Sequence, residues 1–161
     1  MKHRIAATLL AVFGLSAGLN AQAAATDIVS AAEMQELADI IQSLGYRAKL
    51  ETDNVGDPVI HSSAAGAEFQ IQTFGCDSDS HDNCKLLLFK VGFDLEEGTT
   101  LESMNDWNEQ VLVGRAYIDD EMDPWLEWAV NMDGGVTEKN FAESFDWWET
   151  ALAQFLDHIN F

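Results

Sequence analysis

The sequence predicts an α+β domain in which helices cover an antiparallel β-sheet. The C-terminal segment has the apolar spacing of a core-facing helix, at steps of three and four residues. Its stripe consists of Phe141, Phe145, Trp148, Leu152, Phe155 and Ile159. Upstream segments alternate apolar and polar residues, as half-buried strands do. The order of helix, three or four strands, helix, two strands and helix is typical of the α+β class.

The first helix is predicted to begin at Ser30, because Ser30-Ala31-Ala32-Glu33 has the form of a capping box. Its apolar face contains Met34, Leu37, Ile40, Ile41 and Leu44, and Gly45 ends it. Residues 46–52 and 58–63 then predict two strands around a turn rich in Asp, Asn and Gly.

Residues 68–75 and 85–93 alternate more strongly and predict the central hairpin. Thr99-x-x-Glu102 is a second capping box, and the helix that it opens ends before Gly114. Its predicted buried stripe contains Leu101, Met104, Trp107, Asn108 and Val111.

A further hairpin is predicted from residues 115–118 and 125–132, which flank an acidic turn. One face of its second strand carries Leu126, Trp128, Val130 and Met132. Asp133-Gly134-Gly135 closes the sheet, and Thr137 caps the last helix.

The first 25 residues have the pattern of an export signal. Lys2, His3 and Arg4 precede an apolar run, and Ala21-Gln22-Ala23 is a small-x-small cleavage site. We expect cleavage after Ala23, with Ala25 as the alternative position. A membrane anchor is the other interpretation, but about fifteen apolar residues fall short of the roughly twenty that a spanning helix needs. The expected location is the periplasm, with a single domain over residues 26–161.

The mature chain is strongly acidic. Removal of 23 of the 161 residues leaves 138, a common size for one domain. Six basic and 28 acidic residues remain, a net charge of −22. Such a surface repels phosphate backbones and anionic lipid headgroups, so nucleic acid is not an expected partner. No membrane span is expected after cleavage.

Cys76 and Cys84 lie at the two ends of the loop between the strands of the central hairpin. In an exported protein this spacing predicts a structural disulfide. A redox-active or metal-binding pair is the alternative, but the C-x7-C spacing lacks the pattern of either.

Two acidic turns suggest a calcium-binding site. Residues 77–83 and 119–123 are rich in aspartate, yet neither has the Gly at position six and the Glu at position twelve of an EF-hand loop. Clustered Asp and Asn also favour turns through local hydrogen bonds. A periplasmic protein that binds a small ligand or a cation at these turns remains the alternative function, and no metal site or cofactor is predicted.

No catalytic residues are predicted. Gly14-Leu15-Ser16-Ala17-Gly18 matches the G-x-S-x-G pattern of a nucleophile elbow, but it lies within the predicted signal peptide. His61, His81 and His158 are the histidines of the mature chain, and none is beside a recognisable nucleophile in the sequence. A hydrolase with an unrecognised site would depend on one of these three.

Several short segments, in this order along the chain, resemble the YbjN-domain family. The clearest are Met104-Asn105-Asp106-Trp107-Asn108, Gly114-Arg115-Ala116-Tyr117-Ile118-Asp119 and Asp123-Pro124-Trp125-Leu126-Glu127. The resemblance implies a fold like type III secretion chaperones and a family labelled as sensory transduction regulators, with no catalytic set. The predicted signal peptide and the cysteine pair depart from many members and argue against a cytoplasmic role.

The resulting hypothesis is an exported, non-enzymatic protein that acts by binding an unknown protein partner. The chaperone-like fold implies a homodimer by analogy. Trp125 lies on the strand face opposite Leu126 and Trp128, and Trp147 lies outside the apolar stripe of the last helix. Both are candidate contact residues, because exposed aromatic side chains favour interfaces.

Export makes a direct prediction about the native protein. We expect N-terminal sequencing of the chain from a periplasmic fraction to begin at Ala24. A chain that begins at Met1 in the cytosolic fraction would contradict export.

Overall fold

The computed structural model describes residues 27–161, so the predicted signal peptide and its cleavage site after Ala23 lie outside the described residues. The described part contains three helices, α1 (Met34–Ser43), α2 (Leu101–Gln110) and α3 (Glu138–Ile159). Its strands are β1 (Ile28–Val29), β2 (Arg47–Thr52), β3 (Pro58–Ala64), β4 (Ala67–Phe74), β5 (Leu86–Gly92), β6 (Arg115–Ile118), β7 (Pro124–Asn131) and β8 (Val136–Thr137). Within residues 27–161 no helix has the length and apolar character needed to cross a membrane.

The main sheet has six antiparallel strands in the order β2-β3-β4-β5-β7-β6. The predicted α+β class and the predicted hairpins are therefore confirmed, with four strands between α1 and α2. The short strands β1 and β8 pair in a separate two-stranded sheet that the sequence did not predict. Two residues are too few to show an alternating pattern.

The core lies between α3 and one face of the sheet. All six residues of the predicted α3 stripe are buried, and Thr137 caps the helix by accepting a hydrogen bond from the Asn140 N–H. The ring of Trp148 lies 5.4 Å from that of Phe69, and the ring of Phe145 lies 6.3 Å from that of Phe89. Burial of these side chains stabilises the domain by roughly 1.5–3 kcal/mol each before entropy is counted.

The predicted capping box at Ser30 is wrong. Helix α1 begins at Met34, and Glu33 is its N-cap without a side-chain bond. Ser30 instead closes a tight turn, because its carbonyl accepts from the Glu33 N–H at 3.2 Å and its hydroxyl accepts from the Ala32 N–H at 3.3 Å. Pairing of Val29 with Val136 holds the chain in an extended form just before this turn.

The start of α2 also differs from the prediction by one residue. Thr100 is the N-cap and accepts from the Ser103 N–H, whereas the N–H of Thr99 donates to the Met122 carbonyl at 2.8 Å. Leu101, predicted in the buried stripe, is exposed, while Met104 and Trp107 are buried. Leu101 is the first residue of α2, and the buried residues of the helix follow from Met104 onward.

Helix α2 closes the edge of the sheet at β6. The Asn108 side chain accepts from the Ala116 N–H at 2.8 Å and donates to the Ala116 carbonyl at 3.0 Å. The Trp107 indole N–H donates to the Gly114 carbonyl at 3.2 Å. These side chains occupy backbone groups that a further strand would use.

We expect Asn108→Ala to lower the free energy of unfolding by about 1–2 kcal/mol, because both hydrogen bonds to Ala116 are lost. Asn105→Ala is the matched control, since Asn105 is an exposed residue of the same helix. Urea denaturation measures both. Equal unfolding midpoints for the two variants would show that Asn108 does not hold β6.

Candidate functional site

The face of the sheet opposite α3 carries a row of polar residues across all six strands. The strand registers align Lys49, His61, Gln70, Lys90, Glu127 and Arg115 in this row. We call this surface the open face, because its side chains reach solvent around a groove of about 380 Å³. Four of the six basic residues within 27–161 lie on it, namely Arg47, Lys49, Lys90 and Arg115.

Glu127 is the centre of the ionic contacts on the open face. It is only 6% exposed, although it lies on the polar side of β7. The Tyr117 hydroxyl donates to its Oε1 at 2.8 Å, and the Lys90 ammonium lies 3.2 Å from the same oxygen. Arg115 donates to its Oε2. The buried carboxylate is therefore compensated by three donors on β5 and β6.

These contacts determine the charge states of Glu127 and Tyr117. Burial opposes ionisation of Glu127, but the hydrogen bonds from Arg115, Tyr117 and Lys90 outweigh it and hold the pKa of its carboxyl below the ordinary value. Burial, together with the hydrogen bond to Glu127 and the charge of that carboxylate, raises the pKa of Tyr117 to about 12. Neither group exchanges a proton readily near neutral pH.

Trp125, a predicted contact residue, is half-buried beside this cluster. Its indole N–H donates to Asp119 Oδ2 at 2.9 Å, and its ring stacks on that of Tyr117 with 6.3 Å between centroids. The Lys90 ammonium lies 4.7 Å from the ring centroid. A Cβ on Gly92 would come within 2.5 Å of the ring, so this position requires glycine. Trp125 is thus a fixed part of the open face.

Trp147, the other predicted contact residue, is 55% exposed on α3. It lines a groove of about 180 Å³ together with Leu112, which is 96% exposed in the loop after α2. Val111, Val113 and Ala151 complete the apolar lining. We call this surface the Trp147 groove. Leu112 was not predicted as a contact residue, because the sequence placed it in the second helix, which ends at Gln110 in the structure.

The acidic turns use their carboxylates within the turns themselves. Asp119 Oδ1 accepts from the N–H groups of Glu121 and Asp123, each at 3.0 Å. In the other turn, Asp77 Oδ2 accepts from the Asn83 amide at 2.8 Å. Across residues 27–161 no three His, Cys, Asp or Glu side chains are grouped so as to hold a metal ion.

The structure contains the predicted disulfide between Cys76 and Cys84. It closes the loop between β4 and β5. In the same loop the ring of His81 packs on Gly56, and its Nδ1 lies 2.7 Å from Asp57 Oδ1. The loop is thereby connected to the turn between β2 and β3.

His158 lies beside a hydroxyl that sequence analysis did not associate with it. Its Nε2 lies 3.1 Å from the Ser103 hydroxyl and 2.8 Å from the Ser103 carbonyl. The two residues are 55 positions apart, so no sequence spacing indicates the contact. A carbonyl only accepts, so Nε2 carries the proton and cannot take one from the hydroxyl. The pair connects α3 to α2.

His61, another histidine considered in the sequence analysis, lies on the open face. Its Nε2 is 3.2 Å from a carboxylate oxygen of Glu51.

A family model described as "Putative bacterial sensory transduction regulator", that of YbjN, matches residues 34–161. The chain belongs to the YbjN family. The description names a regulatory role and no chemical reaction. No curated protein and no solved structure matches the chain.

The segments by which the chain resembles YbjN proteins hold β6 and β7 in place. Trp107 and Asn108 bond the backbone of β6, and Asp119 shapes the turn to β7. Glu127, Tyr117 and Arg115 lie within the same YbjN-like segments and form the ionic cluster. A charged residue between Leu126 and Trp128, in the middle of an apolar strand, was the available signal for that cluster.

We expect Glu127→Gln to lower the free energy of unfolding by about 1–3 kcal/mol at neutral pH, because Lys90 and Arg115 lose their anionic partner. The folded-state pKa of Glu127 lies below the ordinary value of 4.5. Its stabilisation is therefore complete above that value and is lost as the pH falls through the folded-state pKa. The difference between wild type and variant should shrink on acidification.

Urea denaturation from neutral pH down to about pH 3 measures this dependence. Glu121→Gln is the control, since Glu121 is an exposed residue of the turn before β7. A difference between wild type and Glu127→Gln that stays constant with pH would contradict an ionised, stabilising Glu127.

Proposed function

We propose that the chain is an exported, non-enzymatic YbjN protein that acts in the periplasm by binding another protein. The N-terminal pattern supports export, and the disulfide between Cys76 and Cys84 suits an oxidising compartment. The charge states of Glu127 and Tyr117 and the proton on His158 Nε2 support a role without acid–base chemistry. A regulatory or accessory role agrees with the family.

The observation that carries the proposal is the Trp147 groove. Trp147 and Leu112 expose large apolar side chains next to each other. Burial of an exposed tryptophan and leucine would contribute several kilocalories per mole to association, and tryptophan is enriched at the centres of interfaces. Because the helix tolerates a polar residue at an exposed position, folding alone does not require an indole there.

Charge indicates the chemistry of the partner. On α3, Glu143 and Asp146 flank Trp147, and Glu109 lies at the end of α2 just before the groove. The net charge of −22 makes the electrostatic potential negative over the rest of the surface as well. We therefore propose a partner segment with an apolar anchor side chain flanked by lysine or arginine.

The test is capture of partners from the native envelope with the full, exported chain. The variants are Trp147→Ala and Leu112→Ser, and Val55→Ser is the matched control because Val55 is an exposed apolar residue in the turn between β2 and β3. We expect a protein retained by wild type and by the control to be lost from both groove variants, and its binding to weaken with added salt.

Retention of the same proteins by all four forms would contradict binding at the Trp147 groove. Thermal melting of each variant establishes that its fold is intact, so that a loss of capture reports on the surface.

A further inference from the structure

The two edges of the main sheet differ in how their backbone groups are satisfied. At β6, Asn108 bonds the outward-facing N–H and carbonyl of Ala116, and Trp107 bonds the carbonyl of Gly114 just before the strand. At β2 the hairpin fixes which groups face outward: the Asp53 N–H donates to the Asp57 carbonyl, so Asp53 faces β3. Backbone groups alternate along a strand, and those of Ala48, Leu50 and Thr52 therefore face away from the sheet.

Most of these outward groups remain open at the β2 edge, and the Ala48 carbonyl is the exception. The Ala48 carbonyl accepts from the Gln42 side chain at 2.7 Å. Within residues 27–161, the outward groups of Leu50 and Thr52 have no hydrogen-bond partner. An unpaired strand edge of this kind is a template for another strand.

We propose that this edge pairs with β2 of a second copy of the chain, antiparallel and with the two-fold axis at Leu50. In this register Lys49 faces Glu51 of the other copy, and Arg47 faces Asp53. Leu50 faces its own equivalent on the side of the sheet that the helices cover. The dimer is a continuous sheet made from both main sheets.

The charge order along β2 identifies a second copy as the occupant. Arg47 and Lys49 come first and Glu51 and Asp53 come last. The side chains of Arg47, Lys49 and Glu51 lie on the open face, and Asp53 directly follows the strand. Reversal of the strand places each cation opposite a carboxylate, which makes four cross-strand ion pairs by symmetry. A strand from a different protein would form these ion pairs only if it carried the same order of charges.

The overall charge also favours this edge over other contacts between copies. Two copies that each carry −22 repel one another wherever acidic surfaces meet. The segment from Arg47 to Asp53 is electrically neutral, so it brings the backbones together without adding repulsion. The Asp53 carboxylate bonds the turn through Oδ1, which leaves Oδ2 for Arg47 of the other copy.

The experiment is sedimentation analysis of the full chain, exported with its own N-terminal segment, over a range of concentrations. We expect a reversible dimer. Lys49→Glu and Glu51→Lys should each weaken dimerisation by about tenfold or more, because attractive pairs become repulsive ones. An equimolar mixture of the two variants should dimerise again, since each introduced charge then faces its opposite.

Lys139→Glu is the matched control for net charge, because Lys139 is an exposed residue of α3. It makes the same change in charge as Lys49→Glu and should leave the dimer intact. If it weakens the dimer equally, general repulsion and not the β2 edge explains the effect, and the proposal is overturned.

The register is tested by Leu50→Cys. Directly opposite residues of this type lie about 5.5 Å apart at Cα, within the range for a disulfide. Because both native cysteines are bonded, the new thiol is the one available for cross-linking. We expect a covalent dimer from Leu50→Cys under oxidation and none from Lys49→Cys.

A monomer at every concentration, or a dimer that both charge variants leave unchanged, overturns the proposal. Cross-linking through Lys49→Cys alone overturns the register. These outcomes are separate from capture at the Trp147 groove, which is measured with variants of α3 and the loop after α2. One proposal can therefore be overturned while the other holds.

Discussion

Packing of α3 against one face of the sheet is the constraint on which the rest of the structure depends. Phe141, Phe145, Trp148 and Phe155 are fully buried there. Among the described residues, the Trp148 indole N–H is the buried side-chain polar group without a hydrogen-bond partner, at a cost of about 1–3 kcal/mol. The domain bears this cost because the indole ring fills the space between Phe69 and Phe89. The face of the sheet that α3 covers must be apolar, so the charged side chains of the strands lie on the opposite face.

The open face concentrates basic residues in a protein that is otherwise acidic. Each of Arg47, Lys49, Lys90 and Arg115 contacts a glutamate on the same face. Three donors compensate Glu127, so its burial does not require protonation. The same donors connect β5 and β6 to β7 through the Glu127 side chain.

The sheet order separates the two proposed binding surfaces. Strands β2 and β6 lie at opposite edges of the main sheet, and the Trp147 groove adjoins the loop that leads into β6. Asn108 bonds both outward backbone groups of Ala116 at the β6 edge, whereas β2 is the edge proposed for strand pairing. A copy paired at β2 therefore keeps its Trp147 groove accessible.

The sequence by itself determined the fold class, the hairpins and the α3 stripe, because apolar periodicity reports directly which side of an element is buried. It also indicated the disulfide, since Cys76 and Cys84 flank one hairpin loop. The predicted N-caps Ser30 and Thr99 were wrong by three residues and by one, because Val29 and Thr99 bond to distant parts of the chain. Only the tertiary structure decided that Glu127 joins Lys90, Arg115 and Tyr117, and that Leu112 lies beside Trp147. Arg115 and Tyr117 lie in the same predicted hairpin as Glu127, but which residues face one another depends on strand register. Lys90 and Leu112 reach their partners through sheet order and helix packing, which no local pattern encodes.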